Sequence, residues 1–113
     1  MSLKRKKRVL AIDDEPAMTE WLKILLEHAG YEVRSALIGT RGEELFKTWR
    51  PDAVITDMML PDVDGIELVR KFKQLDPEAE VIVITRNGDR FEESRREGCV
   101  FVPLIGAAGW PDA

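Results

Sequence analysis

A chain of 113 residues, 44% hydrophobic and 34% charged, has room for one domain and one core with little to spare. Its net charge of −4 argues against nucleic acid as the main partner, and no apolar run approaches the length of a membrane span. The lone cysteine, Cys99, excludes an internal disulfide and suits a reducing cytoplasm, and no signal-peptide pattern opens the chain.

The basic cluster Lys4-Arg5-Lys6-Lys7-Arg8 has no interleaved aromatics, so it reads as a solvated lead-in rather than a nucleic-acid arm. Val9-Leu10-Ala11-Ile12 is a continuous apolar run, short enough for a buried strand, and it ends in Asp13-Asp14-Glu15. Pro16 opens a helix whose expected inner face carries Trp21, Leu22, Leu25, Leu26 and Ala29, and Gly30 stops it. Tyr31 to Ala36 alternates as a second strand. Gly39 through Trp49 reads as a loop and short helix with Leu45, Phe46 and Trp49 inward, closed by Pro51. Ala53 to Thr56 is the third strand, cut off by Asp57, and Pro61 and Gly65 then force a loop. Asp64 is placed to cap a helix carrying Leu68, Val69, Phe72 and Leu75, with Pro77 beyond its end. Val81 to Ile84 is a fourth apolar strand ending at Thr85.

Strict alternation to this point implies a parallel sheet with helices on both faces. The pattern then degrades. The segment 89–97 has a single large apolar residue, Phe91, and predicts a weakly anchored helix or none. Cys99 to Val102 reads as a fifth strand ending at Pro103, and the tail 104–113, with two glycines and a proline, is too broken for a full helix. The expected organisation is therefore one domain over 1–113, with its core in 7–103 and a short tail.

Three buried-strand candidates end in polar groups: Asp13-Asp14, Asp57 and Thr85. In an open parallel sheet these ends share one edge, which is where ligands bind. Crowded carboxylates repel one another, and a divalent cation most simply offsets that cost. An all-oxygen cluster with few protein ligands favours Mg²⁺, and a carboxylate beside it suits phosphoryl transfer. Each position also has an ordinary reading, as helix-capping acids, a surface acid and a strand threonine. Their joint occurrence after apolar strands favours a site. No Gly-rich loop with Gly-Lys-Ser/Thr is present, which excludes a P-loop NTPase. Haloacid-dehalogenase-type phosphohydrolases need a second acid two residues after the strand-end aspartate, where Met59 stands. His28, the only histidine, lies in the last turn of a helix and reads as structural, and Cys99 reads as core.

With Asp13-Asp14, the run Asp57-Met58-Met59-Leu60-Pro61-Asp62-Val63-Asp64-Gly65 and Thr85 in place, the chain from about Arg8 to Pro103 resembles a receiver domain of bacterial two-component response regulators. The resemblance implies a doubly wound, flavodoxin-like, five-stranded parallel sheet of order 2-1-3-4-5. It implies that Asp57 accepts phosphate from a histidine kinase or phosphotransfer protein in a phosphorelay. Asp13, Asp14, Asp57 and the main-chain carbonyl of Met59 would hold Mg²⁺, and Thr85 would bond the phosphoryl oxygen. Enzymatic activity would extend at most to self-phosphorylation and self-dephosphorylation on Asp57, in the cytoplasm, with neither membrane nor direct nucleic-acid binding.

The chain also departs from the family. Val102 stands where a lysine is expected before the proline, Arg86 follows the threonine where a small residue is expected, and the last helix is missing or truncated. Arg86 either pairs with the phosphate or points to solvent. A degenerate receiver, acting as a phosphorylation-independent interaction module, is the alternative reading. The missing helix leaves one sheet face with the first helix alone, so a homodimer or the tail is expected to cover it.

Overall fold

The computed structural model describes residues 5–85 and 100–103. Its elements are β1 (Arg8–Ile12), α1 (Pro16–His28), β2 (Glu32–Ala36), α2 (Gly39–Trp49), β3 (Ala53–Asp57), α3 (Gly65–Leu75), β4 (Glu80–Thr85) and β5 (Val100–Pro103). All strands pair in parallel, in the order β2-β1-β3-β4-β5, which is the doubly wound arrangement expected. The segment 89–97, Arg86 and the tail with its truncated last helix lie outside the described residues.

Parallel strands buried on both faces need apolar side chains on both sides, and β1 supplies them alternately. Leu10 and Ile12 join Phe46, Trp49, Leu68, Val69 and Phe72 in the larger core cluster, beneath α2 and α3. Ala11 joins Met18, Leu22 and Ile84 in a smaller cluster beneath α1. Phe46 and Phe72 stack with ring centroids 4.3 Å apart and an interplanar angle of 15°, closing α2 onto α3.

The inner face of α1 differs from expectation. Met18, Thr19 and Leu22 are buried and Leu26 packs against their cluster, whereas Trp21 and Leu25 are 44% and 49% exposed. Residues 18, 22 and 26 form one i, i+4 ridge against a flat sheet. Around the helix Trp21 lies about 100° and Leu25 about 60° from Leu22, on the flank that turns away from the sheet. Ala29 caps the helix rather than packing within it, and Gly30 takes the positive φ of 103° that ends it. In α3 the expected Leu68, Val69 and Phe72 are buried, but Leu75 is exposed in the last turn.

Residues 5–7 of the basic lead-in are exposed, and Arg5 and Arg8 also hold it to the fold. The Arg8 N–H donates to Asp52 Oδ2 at 2.8 Å, Arg5 bridges the same carboxylate at 3.2 Å, and Arg8 Nη1 donates to the Trp49 carbonyl at 2.6 Å. The Arg8 N–H, and after it the Arg5 guanidinium, hold the Asp52 carboxyl below its usual range against the upward push of burial.

The Phe46–Phe72 stack gives a direct test of this packing. Phe72 is fully buried, so Phe72→Ala should cost about 3–5 kcal/mol of stability. Trp21→Ala should cost under about 1 kcal/mol, because the ring covers little of the core. Equal losses for the two in chemical denaturation would contradict the packing described.

Candidate functional site

Strand register sets the position of each polar strand end. Ile12 pairs with Thr56 and Asp57 pairs with Ile84, so Asp13, Asp57 and Thr85 reach the same edge of the sheet. One carboxylate oxygen from each of Asp13, Asp14 and Asp57 lies within 4.8 Å of the others. Asp13 and Asp57 are 1% and 2% exposed, whereas Asp14 is exposed, so the cluster opens to solvent on the Asp14 side. Two buried carboxylates at that spacing repel one another when both are charged. The backbone of β4 puts Thr85 opposite Pro103, and Val102 pairs with Ile84 in β5.

Short local bonds shape the ends of the two acidic strands. Asp13 Oδ1 accepts the Glu15 N–H at 2.9 Å, turning the chain into α1, and the Asp13 N–H donates to the Ala36 carbonyl at 3.1 Å. After β3, the Met58 N–H donates to the Ile84 carbonyl at 3.1 Å, and the Met59 N–H approaches Asp57 Oδ1 at 3.4 Å. The Met59 side chain is 69% exposed, and it is the Met59 main-chain N–H that approaches Asp57.

The loop closes on itself where it enters α3. Met59 and Asp64 form an antiparallel bridge, the Gly65 N–H donates to the Met58 carbonyl at 2.9 Å, and Asp64 caps α3 by accepting the Ile66 N–H at 2.8 Å. The capping role expected of Asp64 is thus observed. A Cβ on Gly65 would meet the Met58 carbonyl oxygen at 2.5 Å and the Asp57 carbonyl oxygen at 2.8 Å, so the turn requires glycine.

Sequence reasoning missed Asp62. Its carboxylate accepts the Gly39 N–H at 2.7 Å and the Thr40 N–H at 2.9 Å, across 23 and 22 residues of chain. Burial pushes this carboxyl up, but the Thr40 and Gly39 N–H groups more than offset it, leaving the carboxyl below its usual range. The available signal was indirect: Ile38 occupies the N-cap of α2 and has no side-chain oxygen to offer.

Residues 9–98 match the family model described as response regulator receiver domain. The chain is 38% identical over 77 residues to the DNA-binding dual master transcriptional regulator RpaA of Synechocystis, covering 68% of this chain but 32% of that one. It is 36% identical over 85 residues to the chemotaxis protein CheY of Thermotoga maritima, covering 74% of this chain and 71% of that protein. It thus spans about a third of the length of the transcriptional regulator. Among solved structures it is similar to the response regulator protein TrrA of Thermotoga maritima in complex with Mg(2+)-BeF. That match has a TM-score of 0.82 and 28% identity, and covers 89% of each chain.

The close approach at Gly65 makes the loop sensitive to a single methyl group. Gly65→Ala should destabilise the chain by about 2–3 kcal/mol, because the atoms in the way are backbone. It should also shift the amide resonances of residues 57–59. A stable variant with an unshifted loop would show that the turn does not need glycine.

Proposed function

The chain belongs to the response regulator receiver domain family, and on that premise we propose that it is a phosphoacceptor in a two-component phosphorelay, with Asp57 as the acceptor. The observation that carries this reading is the convergence of Asp13, Asp14 and Asp57 within 4.8 Å at the carboxyl edge of the sheet. The donor set consists of hard carboxylate oxygens, which suits Mg²⁺, and the main-chain carbonyl of Met59 is the natural fourth protein ligand. Mg²⁺ bound there would neutralise charge on the carboxylates and on the arriving phosphoryl group.

The chain's own part is positioning. Asp57 Oδ attacks the phosphorus of a phosphohistidine on a histidine kinase or phosphotransfer protein. An O–P bond forms, the P–N bond breaks, and its electron pair returns to the donor imidazole. Thr85, at the end of β4, is proposed to bond a phosphoryl oxygen. Receiver domains are in general signalling modules rather than enzymes, so any catalysis is confined to phosphorylation and dephosphorylation of Asp57 itself. The proposed functional unit is residues 7–103 of a single receiver domain, with 104–113 as a tail. No helix among the described residues is long and apolar enough to cross a membrane.

Val102 favours a second reading. It stands in β5 immediately before Pro103, where the resemblance expects a lysine to pair with the phosphate. On that reading the chain is a degenerate receiver that acts as an interaction module independent of phosphorylation.

A second copy of the chain is the proposed cover for the sheet face that carries α1. A cavity of about 480 Å³ lies there, with Leu26, Ile55 and Ile82 in its wall and Tyr31 at its rim. Lys7 borders it on the β1 side and Glu78 and Glu80 border it on the β4 side. A two-fold axis along β3 would bring these opposite charges together.

Incubation with Mg²⁺ and a small acyl phosphate, read by intact mass, should add one phosphoryl group to the wild type and none to Asp57→Asn. Mg²⁺ affinity should fall at least about tenfold in Asp13→Ala and Asp14→Ala. A wild type that gains no mass would favour the phosphate-independent module.

Sedimentation should show a dimer that weakens when Ile82→Glu places a charge in the apolar wall. A monomer at all concentrations would remove the second copy.

A further inference from the structure

Among the described residues, Asp62 makes the only side-chain hydrogen bonds from the stretch Met59–Val63 to another element of the fold. Met58 is bonded on one side to β4 and Asp64 caps α3 on the other; between them Leu60 and Val63 pack against the core, and the Asp62 carboxylate accepts the first two N–H groups of α2. A helix start ordinarily takes its capping oxygen from the preceding residue, but here that residue is Ile38. Helix α2 therefore borrows its cap from the acceptor loop.

The join is tight as well as polar. A Cβ on Gly39 would collide with the Val63 Cγ1 methyl and sit 3.2 Å from Asp62 Oδ1, so the first turn of α2 lies directly against residues 62 and 63. The macrodipole of α2 adds to the attraction, since its positive end faces a carboxylate. Helix α2 is in turn held to the core by Leu45, Phe46 and Trp49, all buried. The loop is thus fastened to a rigid element three residues beyond Met59.

We infer that Asp62 is a positioning residue: by capping α2 from the loop, it fixes the Met59 main chain relative to Asp13, Asp14 and Asp57. This rests on the functional reading above, in which that main chain is a ligand of Mg²⁺. Asp62 itself touches neither the carboxylates nor the metal. Its action is through backbone placement, and supports of this kind change metal affinity by about tenfold or more when removed.

A structural cap and a positioning residue respond differently to a replacement cap. Asp62→Ala should lose amide-exchange protection at Gly39 and Thr40 and raise the Mg²⁺ Kd about tenfold by calorimetry. Adding Ile38→Ser to that variant supplies a local cap, and should restore the denaturation midpoint while leaving the Mg²⁺ Kd raised. Asp62→Asn keeps one oxygen on the helix and should weaken Mg²⁺ less than alanine does. It also serves as the test if the alanine variant does not fold. An unchanged Kd in both Asp62 variants, or a Kd restored by Ile38→Ser, would reduce Asp62 to a helix cap and overturn the inference alone. A wild type that binds no Mg²⁺ would overturn the functional reading and this inference with it.

Discussion

Parallel pairing of β1 with β3 forces the acidic ends of both strands to the same edge of the sheet, and the rest of the structure accommodates that crowding. Asp13 and Asp57 are almost fully buried there, with Asp14 beside them at the open side. Carboxylates so placed repel one another unless positive charge comes near. The apolar strands that hold them cannot relax to separate them, because Leu10, Ile12, Val54 and Val83 are locked in the core beneath α2 and α3. A rigid floor and a repulsive rim together make a site that favours a hard cation.

Among the described residues, the two faces of the sheet are unequally covered. Beneath α2 and α3 lies the larger cluster, closed by the stacked Phe46 and Phe72 rings. Beneath α1 lies a smaller cluster, in which Ile55 is only partly buried. The side with the larger cluster also carries the loop that leads directly from β3 into α3. Placement of the site therefore draws on the larger of the two described clusters.

The loop itself is built from backbone contacts that leave little freedom. Its ends are tied by the Gly65 N–H on the Met58 carbonyl, by the Met59–Asp64 bridge and by the Asp64 cap. Its apex is tied by Asp62 to a helix that begins more than twenty residues earlier. One loop thus joins β3, α3 and α2, and its geometry is shared among them.

Element type and a parallel sheet were legible in the sequence because apolar runs of strand length alternate with helical stripes, whereas the strand order came only from the family resemblance that the strand-end motifs carry. The acids at 13, 14 and 57 were legible for the same reason: each directly follows an apolar strand, and the sheet's polarity brings such ends together. The Asp64 cap was readable from local spacing alone. Only the tertiary structure decided which flank of α1 is buried, because a wide apolar stripe including Trp21 and Leu25 does not state which ridge a flat sheet will meet. It likewise decided the role of Asp62, whose partners at Gly39 and Thr40 are distant in sequence. Ile38 showed that a cap was missing, but only folding brings a carboxylate across the chain to supply it.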